Sequence, residues 1–231
     1  MPITARVAVL AAVVLAFPAT AFAGTSAGQP TPTNLDTVAD ATQITGLRVD
    51  LPLPNCAANA LRCDDVSVLN TLDGFNIQPR LTIPFSGPID LSTVSSANIF
   101  LIGPGGHIVG IDQAVWEPLT NTLHAESADQ LEQDATYLLV VTRGVHDAAG
   151  DALDTTTFRH DLNFGQTKDP GKKAYRKALI DALGSAFVAG VHNDDIAAAT
   201  SDGSAPPAIA IGSASSSALR YAFDAGSFVC P

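Results

Sequence analysis

The feature that most limits what this chain can fold into is a block of about a hundred residues, Asp65 to Phe164, made of short apolar runs broken by turn residues. Runs lie near Val66–Leu69, Arg80–Phe85, Ile99–Ile102, Ile108–Trp116, Thr122–Ala125, Thr136–Thr142 and Thr157–Leu162. Turn residues recur at roughly the 8–12-residue spacing of an all-β sandwich, so these runs are read as strands. Pro79 and Pro84 flank or end the second run and cannot donate ladder hydrogen bonds, which puts that strand at an edge or a bulge. Gly103-Pro104-Gly105-Gly106 and Asp147-Ala148-Ala149-Gly150-Asp151 read as turns, with glycine supplying positive φ. Trp116, the only tryptophan, reads as core filler between two sheets.

The flanks have a different character. Arg6, the apolar run Val7 to Phe17 and Ala21-Phe22-Ala23 form the n-region, h-region and cleavage site of a signal peptide over residues 1–23. The apolar run is short of the ~20 residues of a transmembrane helix, and no second long run follows, so no membrane span is expected. Residues 24–43 are rich in Thr, Ala, Pro and Gln without apolar periodicity and read as a disordered leader. Leu47-Arg48-Val49-Asp50-Leu51 alternates like a short strand or an extended arm, and the sandwich is placed at 44–164.

Beyond Phe164 a helical extension is expected over 165–200. Asp169-Pro170 has the residues of a cap and first helical position. Tyr175, Ala178, Leu179, Ala182, Leu183, Ala186 and Phe187 then recur at three- and four-residue steps. A shorter second helix is expected at Ile196–Ala199, behind Asn193-Asp194-Asp195. Residues 201–231 are rich in Ser, Ala and Gly and read as a poorly ordered tail.

The formal net charge of −11, more negative still once Arg6 leaves, argues against binding a phosphate backbone and hence against a nucleic-acid partner. Cys56, Cys63 and Cys230 would meet an oxidising environment after export. Loop closure favours Cys56–Cys63 as a disulfide over either pairing with Cys230. No histidine or second close pair of cysteines completes a metal ligand set around them.

Candidates for chemistry are few. His146-Asp147 and His160-Asp161 are adjacent in sequence, which in a strand sends the two side chains to opposite faces. His107, His124 and His192 have no partner at a telling spacing. Asp147, Asp151 and Asp154 surround Gly150, but they miss the calcium-loop pattern and read as turn carboxylates. No glycine-rich phosphate loop follows a strand, and no cofactor is expected.

The run Val68 to Asp90, with Ala97-Asn98-Ile99-Phe100-Leu101-Ile102 and Tyr137 to Gly150, resembles the Ig-like N-terminal domain of secreted bacterial lipases. Its last segment is also similar to the final hairpin of S-layer-type bacterial Ig-like domains. Tyr175-Arg176-Lys177-Ala178-Leu179 is similar to the segment that joins such a domain to an α/β-hydrolase domain. The resemblance implies an Ig-like β-sandwich on an export route, without a catalytic residue. A hydrolase needs a nucleophile elbow, and the chain's G-x-S-x-G, Gly24-Thr25-Ser26-Ala27-Gly28, lacks the strand before it and the helix after it. The expectation is therefore a secreted, periplasmic or cell-surface module that is not an enzyme. It is either structural or the front end of a truncated lipase. The alternative is an accessory subunit that binds a surface, a lipid or polymer, or a co-secreted hydrolase.

Overall fold

The computed structural model describes residues 24–203. The expected signal peptide, most of the expected tail and Cys230 lie outside the described residues.

Among the described residues, nine strands and three α-helices follow one another. A hairpin of β1 (Thr37–Ala39) and β2 (Leu47–Val49) leads into α1 (Ala60–Leu69). Then come β3 (Arg80–Pro84), β4 (Ile99–Ile102), β5 (Ile108–Val109), β6 (Ile111–Glu117), β7 (Thr122–Ser127) and β8 (Thr136–Thr142). The chain continues through α2 (Thr156–Leu162) and α3 (Pro170–Val188) to β9 (Ile196–Gly203).

Two antiparallel sheets share one core. The first has the order β3-β7-β6 and the second β5-β4-β8-β9. Leu81, Ile83, Leu123 and Ala125 from the first sheet meet Ile99, Leu101, Leu139 and Val141 from the second. Trp116 packs against the margin of this core beside Phe85, ring centroids 5.9 Å apart, and is only partly buried rather than filling the space between the sheets. Alternate residues of β4 and β8 (Phe100, Ile102, Leu138 and Val140) face the other way, onto Phe158, Phe164, Tyr175 and Leu179 of the helical layer. The second sheet is thus covered on both faces. That is why Ile99-Phe100-Leu101-Ile102 and Tyr137-Leu138-Leu139-Val140-Val141 are continuous apolar runs rather than alternating ones.

The expected all-β chain is β-rich and sandwich-like with three helices among the described residues, and several expectations change. Ile108–Trp116, read as one strand, is two: β5 in the second sheet and β6 in the first. Val66–Leu69 is the end of α1, started by Asn59, whose side chain accepts from the Arg62 amide at 3.1 Å. Cys63, Val66 and Leu69 recur every three residues on its buried side. Thr157–Leu162 lies in α2, which buries Phe158 and Asp161, again three apart. Ile196–Ala199 begins β9, so the helical extension also supplies an edge strand to the second sheet. The open edge of β8 offers backbone partners that outweigh the helix preference of three alanines.

The leader is a further correction. Thr31 exchanges backbone hydrogen bonds with Thr82, and the Gly28 amide donates to Pro84 O at 2.7 Å. Ala27 is fully buried. The segment therefore covers the exposed edge of β3, which does lie at a sheet edge as its prolines demand. Register shifts sit elsewhere, in β6 between Asp112 and Val115, where Gln113 adopts φ 49°, and where β8 pairs with β9, between Val141 and Thr142. In the turn after β4, Gly105 and Gly106 take positive φ. Gly103 does not, but a Cβ there would strike the Tyr137 ring.

Candidate functional site

The β1–β2 hairpin and α1 form an arm on the flank of the sandwich, and its parts are tied together by named bonds. The Asn70 side chain pairs with both backbone groups of Leu51, donating to its carbonyl at 2.9 Å and accepting from its amide at 2.7 Å. Arg48 Nη1 donates to Asn70 O at 2.6 Å while its Nε faces Asp40 at 3.3 Å. The Asp73 carboxylate accepts from the Ile44 and Thr45 amides and from the Thr45 hydroxyl. Cys56 and Cys63 form the expected disulfide and staple the incoming loop to the first turn of α1.

Between this arm and β3 lies a cavity of about 360 Å³, open on one side. Its apolar wall comes from Val49 of β2, Val66 and Leu69 of α1, and Phe75, each less than a tenth exposed. Arg62, Arg80 and Asp36 supply the charged part of the lining. Burial pushes the Asp36 carboxyl above the usual carboxylate range. Arg80 also reaches Glu126 at 3.4 Å in a largely exposed pair. The sequence gives few hints of this cavity, because reading Val66–Leu69 as a strand hides the wall of α1. The three-residue steps after Asn59 are the signal that would have revealed it.

A second polar cluster lies inside the helical layer. The Tyr175 hydroxyl donates to Asp161 Oδ2 at 3.3 Å and lies 3.3 Å from Ala199 O and 3.4 Å from Thr200 Oγ1. It accepts from Gln29 Nε2 at 3.1 Å, and Thr200 Oγ1 donates to Thr33 Oγ1 at 2.6 Å. This network joins the leader, α2, α3 and β9. Burial raises the pKa values of both Asp161 and Tyr175, favouring their neutral forms.

The residues singled out for chemistry are held in structural roles. His160 and Asp161 were expected to diverge, but on α2 their Nδ1 and Oδ1 are 3.4 Å apart. His160 is exposed and stands edge-on to Phe164, while the other Asp161 oxygen faces Tyr175. His124 lies between Thr82 Oγ1 at 3.3 Å and Glu117 at 3.6 Å on the outer face of the first sheet. His146 is in an isolated bridge with Ala152, and His107 and His192 flank short turns. Asp147 accepts from the Ala149 and Asp151 amides, and Asp154 from the Thr156 amide. Among the described residues, no group of three or more His, Cys, Asp or Glu could hold a metal ion.

Ser26 of the G-x-S-x-G lies in an extended segment, its amide bonded to Ser86 Oγ at 2.9 Å and its carbonyl to the Ser86 amide. This is not the strand-to-helix turn that exposes a nucleophile. No helix among the described residues is long and apolar enough to cross a membrane.

No curated protein matches the chain. Among solved structures it is similar to surface layer protein SbsC, domains 1–6, at 18% identity and a TM-score of 0.29, over 42% of this chain and 15% of that one. The N-terminal part of the bacterial S-layer protein SbsC matches at 18% identity and a TM-score of 0.29, over 42% and 26%. The S-layer protein rSbsC(31–844) matches at 18% and 0.30, over 43% and 15%. The chain thus spans about a quarter or less of the length of these proteins. A family model described as bacterial Ig-like domain matches residues 58–164, from just before α1 to just after α2, so this stretch of the chain is similar to a bacterial Ig-like domain.

Proposed function

We propose that the chain is an exported, non-catalytic Ig-like module that acts by holding a surface or a partner. The observation that carries this reading is the local role of the candidate catalytic groups. Asp147 and Asp154 close turns, His124 and His146 sit within sheet or bridge pairing, and Ser26 is part of an edge-covering segment. Export rests on the signal-peptide pattern of residues 1–23 and agrees with the Cys56–Cys63 disulfide.

The likeness of Val68 to Asp90 to the N-terminal domain of secreted lipases supports a place beside a hydrolase, as the front end of a lipase-like chain. The preformed cavity under α1 favours the accessory alternative, in which the module binds substrate or partner for a separately encoded esterase.

Purified mature protein assayed on short and medium-chain p-nitrophenyl esters should show no turnover above buffer. Turnover abolished by a serine-directed phosphonate would overturn the non-catalytic reading. Sedimentation with washed cells of the source and with their secreted esterase fraction tests the holding role. Absence from both pellets and complexes would count against it.

A further inference from the structure

The cavity beside α1 is built rather than left over. Protein interiors pack densely, and apolar space of this size normally closes when the surrounding elements can move together. Here each wall is fixed by hydrogen bonds of its own. The Asn70–Leu51 pair and the Val49 amide, which donates to Leu72 O at 3.0 Å, fix the arm's own geometry. On the opposite side, Thr31 is locked to Thr82 by two backbone hydrogen bonds. A preformed cavity lowers the cost of binding because the ligand does not have to order it. Its volume is at the lower end of the ~300–1,000 Å³ range of small-molecule sites.

The lining also states a chemistry. The chain has 23 acidic and 12 basic residues, yet this cavity is lined by two guanidinium groups and one carboxyl. Burial of that carboxyl, Asp36, favours its neutral form. Each guanidinium has five donors in a fork, so a protein partner does not exhaust it. Two guanidinium groups next to an apolar wall suit a molecule with an apolar body and one negative end.

We propose that the cavity is a binding site for a compact amphiphilic anion. Its aromatic or medium-length acyl body would lie against Val49, Val66, Leu69 and Phe75, with its carboxylate or sulfonate toward Arg62 and Arg80. This site does not depend on the non-catalytic reading, because binding here requires no reacting group.

The test uses the full mature protein and 8-anilinonaphthalene-1-sulfonate as a fluorescent anionic probe, with N-phenyl-1-naphthylamine as its uncharged counterpart. One saturable site for the sulfonate is expected, displaced by decanoate or 2-naphthoate and poorly by 2-naphthol. Displacement by decanoate alone would identify an acyl chain as the body, and by naphthoate alone an aromatic one. Arg62→Gln should weaken the sulfonate about tenfold and leave the uncharged probe unmoved. Val66→Phe, which fills the wall, should abolish both.

Because Val66→Phe could fail to fold, methyl NMR shifts of Val49, Val66 and Leu69 in the unaltered protein are followed during the same titration. Shifts confined to these methyls support the site. Unsaturable binding, shifts elsewhere, equal loss of both probes in Arg62→Gln, or full binding by a folded Val66→Phe protein would overturn the proposal. Ester hydrolysis plays no part in the readout, so this site and the non-catalytic reading fail separately.

Discussion

Asn70 is bonded to Leu51 twice, its side-chain amide taking the place of a neighbouring strand's backbone. The carbonyl of Asn70 meanwhile accepts from Arg48. One residue at the end of α1 therefore holds β2 and the segment after it. Asn70→Ala leaves a partly buried amide and carbonyl unpaired and should cost about 1–3 kcal/mol. Asn70→Asp should also destabilise, since it sets a carboxylate oxygen against the Leu51 carbonyl. Urea unfolding measures both, and an unchanged midpoint in the alanine variant would show that the clamp is dispensable.

The two sides of α3 should respond differently to truncation. Leu179 is fully buried between the helix and the second sheet, whereas Phe187 is 74% exposed. Leu179→Ala should cost about 2–5 kcal/mol, and Phe187→Ser should change stability by no more than about 0.5 kcal/mol. Thermal melts of the two variants decide the matter. Equal effects would mean that the helix is not docked on the sheet as described.

Asp202 of β9 stands opposite Tyr137 in the ladder and is buried, and its Oδ1 has no hydrogen-bond partner among the described residues. Loss of solvent raises its pKa from 3.8 to about 7. Between those values the folded chain keeps a proton that the unfolded chain has released. Its contribution to stability is therefore greatest below the lower value, falls as pH rises through the window, and is level above it. Asp202→Asn should flatten that slope and stabilise the protein at pH 8, by an amount on the order of a few kcal/mol at most. Denaturant titrations at pH 4, 5.5, 7 and 8 test this, and an unchanged slope in the variant would place the titration elsewhere.

Gly103 and Gly105 lie in one turn but are needed for different reasons. A Cβ on Gly103 would come within 2.5 Å of Cε1 of Tyr137, whose hydroxyl is anchored by the Glu132 amide. A Cβ on Gly105 meets nothing within 4 Å, but the backbone there has φ 69°. Gly103→Ala should cost about 1–3 kcal/mol through overpacking, and Gly105→Ala about 1–2 kcal/mol through backbone strain. Adding Tyr137→Leu should change the effect of the first and not of the second. A double-mutant cycle measures that difference.

The sequence made the two-sheet core legible where side-chain period and turn chemistry agreed. β3, β4, β7 and β8 lie where their apolar runs place them, and Pro79 and Pro84 mark β3 as an edge. The Cys56–Cys63 pairing followed from short loop closure. What was hidden depended on contacts distant in sequence. Val66–Leu69 and Thr157–Leu162 are short enough to fit either period, and only their packing partners decide for helix. Ile196–Ala199 has helix-favouring alanines that an open strand edge overrides. The leader has no apolar period because its order comes from backbone bonds to β3. The cavity inherited the same obscurity, since two of the elements around it, α1 and the leader, are among these.

The partnership of β8 with β9 separates the unit of homology from the unit of folding. The family match ends at residue 164, whereas the strand that completes the second sheet begins at Ile196 and the segment that covers β3 precedes α1. A protein cut to the matched residues would expose two hydrogen-bonding edges at once, each able to recruit another copy of itself. Shuffled into another polypeptide, this domain would have to carry both flanks with it or find substitutes for them in its new neighbours.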